Sequence, residues 1–227
     1  MLPIPKPSPQ SGNVLFFILI AIFLMGILTV AIQMSSQSGN ENIDEETMSI
    51  RFSQIKQHTA EMENAVRFVF DNGFSETDIR FAHPDAHSDY GDITDTPGRQ
   101  IFSPSGGGAT YRLSPDSVND GSEWEFYGGT SMPDVGSDEA ELIAVLPNVT
   151  SAFCDLVNRS LGYSTQPQDT STCVNEGAAG RFDDGTQFSS TPNTVNTGSF
   201  TKTPALKACV ECAVDGSLHY VHVLMTR

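Results

Sequence analysis

The chain has 227 residues, with 12 basic and 28 acidic side chains and a formal net charge of −16 at neutral pH. Residues 34–227 hold 11 of the basic and all 28 of the acidic side chains, so this part alone carries a charge of −17. A surface this acidic repels nucleic acid phosphates and anionic lipid headgroups, which excludes nucleic acid as an expected partner. Solubility is the simplest explanation of the charge.

The beginning of the chain is rich in proline. Pro3, Pro5, Pro7 and Pro9 alternate with other residues there. Because proline lacks the backbone N–H that a helix needs, residues 1–12 are predicted to be a short non-helical leader.

An uncharged apolar run covers residues 14–32. As a helix these 19 residues would span about 28 Å, close to the roughly 30 Å hydrocarbon core of a bilayer. The run predicts a transmembrane helix over residues 13–33. The alternative is a secretory signal peptide cleaved near residues 36–38, although the apolar run of such a peptide is only about 7–15 residues long. A lipoprotein signal is excluded because the first cysteine is Cys154.

The charges on either side of this run predict its orientation. Lys6 is the only ionisable side chain before Glu41, and several acidic residues follow the run. Since positive charge favours the cytoplasmic side of a membrane, the N-terminus is expected inside and residues 34–227 outside the cytoplasm.

The cysteines support an exported domain. Cys154, Cys173, Cys209 and Cys212 form an even set. Disulfides persist in oxidising compartments, so two structural bridges are expected, with all three possible pairings open. The Cys209–Cys212 spacing also leaves two other readings, a redox dithiol and part of a zinc site.

A second helix is predicted over residues 44–71, after a polar joint at residues 35–42, so that residues 34–72 form a joint and an amphipathic helix. Its core-facing side chains recur every three or four positions. They are Met48, Phe52, Ile55, Thr59, Met62, Val66 and Val69. Asn72 and Gly73 are typical of a helix end. We expect this stripe to pack on a sheet.

Residues 73–227 are predicted to form an extracytoplasmic sheet domain. The candidate strands are residues 79–81, 101–102, 109–113, 124–127, 141–146 and 218–225. Polar loops are expected at residues 82–99 and 163–200. A short helix near residues 148–161 is expected to be capped by Asn148 and ended by Gly162. The predicted class is α+β, a long helix laid against an antiparallel sheet.

This order of parts resembles type IV pilins and type II secretion pseudopilins. In that family a prepilin peptidase cuts after a glycine, so the resemblance implies processing between Gly12 and Asn13. Residues 12–21, GNVLFFILIA, more closely resemble the opening of uncharacterised pilin-like membrane proteins of alphaproteobacteria. Residues 102–108, FSPSGGG, and 146–148, LPN, are similar to segments of the same proteins, as is the C-terminal strand after a cysteine.

The resemblance implies a single-pass protein of the bacterial inner membrane, with its N-terminus cytoplasmic and its main domain periplasmic or extracellular. The implied partners are the membrane, the peptidase and other pilin-like subunits, which would meet the N-terminal helix. Shaft pilins carry glutamate at the fifth mature position, where this chain has Phe17. An unpaired charge in lipid is costly, so that glutamate is thought to pair with a neighbouring subunit's terminal amine. Its absence indicates a minor or initiating subunit, or a relative that does not assemble.

Catalytic and metal-binding patterns are sparse. No Gly-x-Ser-x-Gly elbow places a nucleophile, and the glycines at 106–108 lack the lysine of a phosphate loop. His83 and His87 lie in a polar segment without helical spacing, and His219 and His222 would face opposite sides of a strand. Residues 183–185, Asp-Asp-Gly, match half a calcium loop but are more typical of a turn.

We therefore expect no enzyme, no cofactor and no metal. The favoured function is that of a structural pilin-like subunit. The alternative is a non-assembling single-pass protein that binds a partner through the loops at 82–99 and 163–200. An enzyme of unrecognised type is the least favoured hypothesis.

Overall fold

The computed structural model describes residues 12–175, 180–183 and 185–227, and within the first helix it describes the side chains of residues 16–29 and 45–71. The chain divides into two compact units between Thr47 and Met48. The predicted α+β class is confirmed.

The first helix, α1, spans Gly12–Asp71 and has 60 residues. It ends where the sequence predicts, since Gly73 adopts a φ of +91° and its N–H donates to the Phe70 carbonyl. Residues 35–42 are helical, whereas the sequence predicted a polar joint there. This segment contains one glycine and no proline, and a single glycine destabilises a helix by only about 1 kcal/mol. Where side chains are described, no helix has both the length and the apolar character needed to cross a membrane.

The second unit contains a six-stranded sheet in the order β3-β5-β6-β2-β1-β4. The strands are β1 Glu125–Ser131, β2 Glu141–Leu146, β3 Gln168–Asp169, β4 Phe188–Thr194, β5 Lys207–Cys212 and β6 Leu218–Met225. The four central strands are antiparallel, but β3 runs parallel to β5 and β4 runs parallel to β1. The sheet is therefore mixed rather than antiparallel. The reason is that residues 163–200, predicted to be a loop, supply a strand to each edge.

Each face of the sheet has its own core. On one face the Phe52 ring of α1 packs edge-on against Phe153 and Tyr220, at centroid distances of 5.9 and 6.4 Å. Of the seven predicted stripe residues, six are buried and Met48 is half-buried against the same core. On the other face, side chains such as Val174 and Phe200 cover the sheet.

The second helix, α2, spans Ser151–Leu161 and ends at Gly162, which has a left-handed φ of +86° as expected for a C-terminal stop. Its N-cap differs from the prediction. The Thr150 hydroxyl accepts a hydrogen bond from the Phe153 N–H at 3.4 Å. Asn148 instead adopts a φ of +54° and donates its side-chain amide to Asp120, so it turns the chain before the helix.

Three predicted short strands are not strands in the structure, namely residues 79–81, 101–102 and 109–113. Arg80 and Gln100 form only an isolated bridge. The glycines between the two later segments fold tightly, since a Cβ at Gly106 would lie 2.2 Å from the Gln100 carbonyl oxygen and one at Gly107 would lie 2.7 Å from the Ala65 Cβ. This close approach to α1 replaces the hairpin that the sequence suggested.

Candidate functional site

The N-terminal part of α1 exposes apolar side chains in all directions. Every described side chain of residues 16–29 is exposed, and the large apolar ones range from 38 % exposed at Ile20 to 73 % at Met25. Contiguous apolar surface of this extent marks a site of contact with protein or membrane. This segment is the first candidate functional surface.

The predicted processing junction lies at the start of the same helix. Gly12 is the first residue of α1 and Asn13 the second, while residues 1–11 of the predicted leader lie outside the described residues. Phe17, the fifth residue after the predicted junction, is 62 % exposed, and its ring centroid lies 6.4 Å from that of Phe16. Residues 16–29 contain no ionisable side chain.

All four cysteines form disulfides, Cys154–Cys209 and Cys173–Cys212, which confirms the prediction of two bridges. Cys209 and Cys212 lie three residues apart on β5, so their side chains leave opposite faces of the strand. Each is bonded to a distant cysteine, and the pair is therefore not a redox dithiol. In the described part of the chain, one group of three possible metal ligands comes together, Cys173, Cys212 and Asp215, and its two sulfurs are bonded to each other.

The side chain of Asn158 joins α2 to β5 beside the first disulfide. It is 5 % exposed, and its Nδ2 donates to the Cys209 carbonyl while its Oδ1 accepts from the Cys209 N–H, both at 2.9 Å. The Gln166 side chain also donates to the Cys209 carbonyl at 2.9 Å. These bonds satisfy the β5 backbone just before the point where β3 begins to pair with it, which gives Asn158 a structural role that the sequence did not reveal.

The histidines at 83 and 87 each belong to a local turn. His83 Nδ1 accepts from the Asp85 N–H at 3.1 Å, and His87 Nδ1 accepts from the Asp89 N–H at 3.3 Å. The His83 ring also stacks on Tyr111 with centroids 4.7 Å apart. The structure therefore does not bring the two rings together as ligands of one ion.

A chain of hydrogen bonds at the β5–β6 turn resembles a catalytic arrangement in its residue types. Ser217 Oγ lies 2.7 Å from His219 Nε2 and 2.6 Å from Asp215 Oδ1. His219 Nδ1 accepts from the Asn148 N–H at 3.4 Å, so Nε2 carries the ring proton and donates to Ser217, which donates to Asp215. A nucleophilic serine gives its proton to the histidine, and here the direction is reversed. Asp215 and Ser217 lie in the turn before β6 and His219 is the second residue of β6, so the spacing of two positions between them is the sequence signal for this cluster.

A cavity of about 190 Å³ lies between the two loops predicted as binding surfaces. Its lining carries charges of both signs, from Arg80, Arg99, Asp89, Asp92, Asp95 and Asp183. Arg181 ties the two loops to the sheet, with its guanidinium 3.0 Å from Asp89 and 2.8 Å from Glu125. This cavity is the second candidate functional surface.

No family model, curated protein or solved structure matches the chain.

Proposed function

We propose that the chain is a membrane-anchored structural subunit of the pilin-like type, a minor pilin or pseudopilin of an envelope filament or secretion-type assembly. One observation carries the proposal. A single helix, Gly12–Asp71, contains a segment that is apolar on every side, residues 16–29, and a later segment that buries one stripe in a disulfide-bonded sheet domain. The first pattern is typical of a helix surrounded by lipid or apolar helices, and the second of a helix that supports a folded domain.

Membrane insertion would supply the partner that the exposed segment needs. Residues 16–28 contain ten leucine, isoleucine and phenylalanine side chains. Each such residue favours insertion by about 0.3–0.6 kcal/mol near the centre of a membrane helix. Lys6 before the segment and the exposed Glu45 and Glu46 after it favour a cytoplasmic N-terminus. The two disulfides suit a domain in the periplasm or beyond it.

Two features favour a minor subunit over a shaft subunit. Phe17 cannot make the charge pair through which the family's glutamate is thought to draw neighbouring subunits together. In addition, residues 34–227 carry a charge of −17, so identical copies packed side by side would repel one another over a Debye length of about 8 Å. A subunit present once among less acidic subunits avoids this repulsion.

The first test is the N-terminal peptide of the mature chain, measured by mass spectrometry in cells with and without a prepilin peptidase. We expect a peptidase-dependent start at Asn13, and we expect Gly12→Val to abolish it. Gly26→Val is the matched control, because Gly26 lies in the same helix and an added Cβ there meets nothing within 4 Å. A chain that keeps Met1 in both cells contradicts assignment to the pilin system. A start near Gly39 contradicts the membrane anchor.

A second candidate function is that of a single-pass protein that does not assemble and captures a partner with its sheet domain. The cavity between the two loops favours it. Cross-linking followed by mass spectrometry distinguishes the two functions. A subunit should lose its partners when Phe23→Asp places a charge in the apolar segment and keep them in the variant Asp95→Ala. A binding domain should lose its partner in Asp95→Ala, since Asp95 is exposed and lines the cavity.

A further inference from the structure

Glu141 is a carboxyl group that the fold removes from water. It is the first residue of β2 and is 0 % exposed. Its Oε2 accepts from the Met132 N–H at 2.8 Å, while its Oε1 is buried and has no hydrogen-bond partner among the described residues. Thr130, the residue of β1 that pairs with Glu141, is also buried, and its hydroxyl makes no hydrogen bond to the Glu141 Oε1 atom. Burial of this carboxyl group favours its protonated form, and the single hydrogen bond from Met132 offsets only part of that effect.

Glu141 sits under the β1–β2 turn, residues 132–140, which closes one end of the sheet. The Ser137 N–H donates to the Arg227 carbonyl at 2.7 Å, and the Ala205 N–H donates to the Pro133 carbonyl at 3.0 Å. Gly136 allows the turn to approach Arg227, since it has a φ of +57° and a Cβ there would lie 2.1 Å from the Arg227 carbonyl oxygen. The hydrogen bond from the Met132 N–H to Glu141 is thus one of a few contacts that attach this turn to the rest of the sheet domain.

Arg227 is the cation at this end of the sheet. Its guanidinium lies 2.9 Å from Glu76 and 3.6 Å from Glu139, and 4.2 Å from the centroid of the Phe188 ring. Burial raises the pKa of Glu141 to about 7, while the hydrogen bond from the Met132 N–H and the charge of Arg227 lower it by smaller amounts.

The other elements around Glu141 carry ionisable side chains that are either exposed to solvent or located several residues away from Glu141 along their strands. They are Asp134 and Asp138 on the turn, Glu125 at the opposite end of β1, and His222 on β6 opposite Ala144. The strand β4 has no ionisable side chain. Arg227 is therefore the charge that modulates Glu141.

We propose that Glu141 makes the β1–β2 turn a pH-responsive latch: the protonated side chain keeps the turn closed on Met132 and Arg227, and ionisation favours its release. An opened turn exposes the carboxyl group to water, where its pKa returns to its ordinary value near 4.5. Between pH 4.5 and about 7 the closed turn holds a proton that the open turn has lost. The ratio of open to closed turn therefore rises about tenfold per pH unit in this window and is constant above it.

Hydrogen exchange of the full chain in detergent micelles tests the latch. With rates corrected for intrinsic exchange, opening of residues 132–140 should increase about tenfold from pH 6 to pH 8, because one pH unit of that interval lies below the midpoint. Glu141→Gln should abolish the increase, since glutamine does not ionise. The control Asp138→Asn should retain it, because Asp138 is an exposed residue of the same turn. An increase of the same size in Glu141→Gln, or none in the parent chain, overturns the proposal.

A second measurement covers the case in which Glu141→Gln does not fold. The chain has seven methionines, so labelling them with ¹⁵N gives a simple spectrum in which the Met132 amide reports directly on Glu141. Its chemical shift should titrate with a midpoint near 7, and Arg227→Gln should move that midpoint upward because a positive charge is lost. A midpoint near 4.5, or one that Arg227→Gln leaves unchanged, contradicts the latch.

Discussion

His222 Nε2 lies 3.2 Å from Glu63 Oε2, a contact that joins β6 to α1 across the buried face of the sheet. The His222 side chain is fully buried, whereas that of Glu63 is 27 % exposed. Burial lowers the pKa of His222, and the hydrogen bond from His222 lowers the pKa of Glu63. At neutral pH the contact is therefore a neutral imidazole whose Nε2–H donates to a carboxylate. Nδ1 carries a lone pair and has no partner in the described part of the chain.

Removing the acceptor should destabilise the sheet domain. We expect Glu63→Ala to lower the free energy of unfolding by about 1–3 kcal/mol, because it leaves a buried ring N–H without a partner. Glu63→Gln keeps an acceptor and should have a smaller effect. Thermal unfolding of the full chain in detergent, followed by circular dichroism, measures both. The exposed neighbour Asn64→Ala is the control, and an equal loss there would mean that the contact contributes nothing.

The N-cap of α2 is Thr150 in the structure, whereas the sequence predicted Asn148, and mutations of the two residues distinguish these assignments. Thr150→Ala should destabilise the domain by about 1 kcal/mol, because the Phe153 N–H loses its acceptor. Asn148→Gly should be close to neutral, since a φ of +54° suits glycine and offsets the loss of the Asp120 contact. Urea unfolding midpoints test the pair. A larger loss for Asn148→Gly than for Thr150→Ala would restore Asn148 as the cap.

The features that the sequence predicted are the ones fixed by nearby residues. The α1 stripe follows from helical spacing, and β2 was predicted at its observed bounds because Pro147 ends a short apolar run. By contrast, Glu63 and His222 are 159 positions apart, and no local pattern connects them. The strand β5 was not predicted because the charged Lys207 and Glu211 interrupt it.

The sheet edges were missed for a related reason. Residues 163–200 have the composition of turns, and only their path across the second face brings β3 and β4 to the parallel edge positions. The buried roles of Asn158 and Glu141 depend in the same way on distant partners. The candidate surface at residues 16–29, in contrast, could be predicted from the sequence because every residue in it is uncharged.

The disulfides predict a specific peptide pattern. A digest without reduction should contain the pairs Cys154–Cys209 and Cys173–Cys212, and a Cys209–Cys212 bridge would contradict the structure. Replacing both cysteines of a pair with alanine should lower the free energy of unfolding by about 2–5 kcal/mol. Removing one disulfide or the other should increase local opening in different parts of the chain. Loss of Cys173–Cys212 should raise hydrogen exchange mainly in residues 163–200, whereas loss of Cys154–Cys209 should also loosen α2.

His58 makes the domain sensitive to acid. It is 3 % exposed, its ring lies edge-on to Trp124 with centroids 5.5 Å apart, and its Nε2 has no partner in the described residues. Burial, with a smaller contribution from Arg112, lowers its pKa from 6.5 to about 4. Between these values the unfolded chain binds a proton that the folded chain does not, so stability is lost as the pH falls through this window. Burial lowers the pKa of His219 and His222 too, which adds to the same trend.

We expect His58→Phe to weaken this dependence, because phenylalanine keeps the ring contact with Trp124 and cannot bind a proton. One site with this pKa loses about 1.6 kcal/mol of unfolding free energy between pH 6.5 and pH 5, because the slope reaches about 1.4 kcal/mol per unit only below pH 6.5. The variant should therefore lose about 1.6 kcal/mol less than the parent chain over that interval. Trp124 is the single tryptophan, so its fluorescence during urea unfolding at the two pH values measures the difference directly. Equal losses in the parent and the variant would show that His58 binds its proton without cost to the fold, and the acid sensitivity would then belong to His219 and His222.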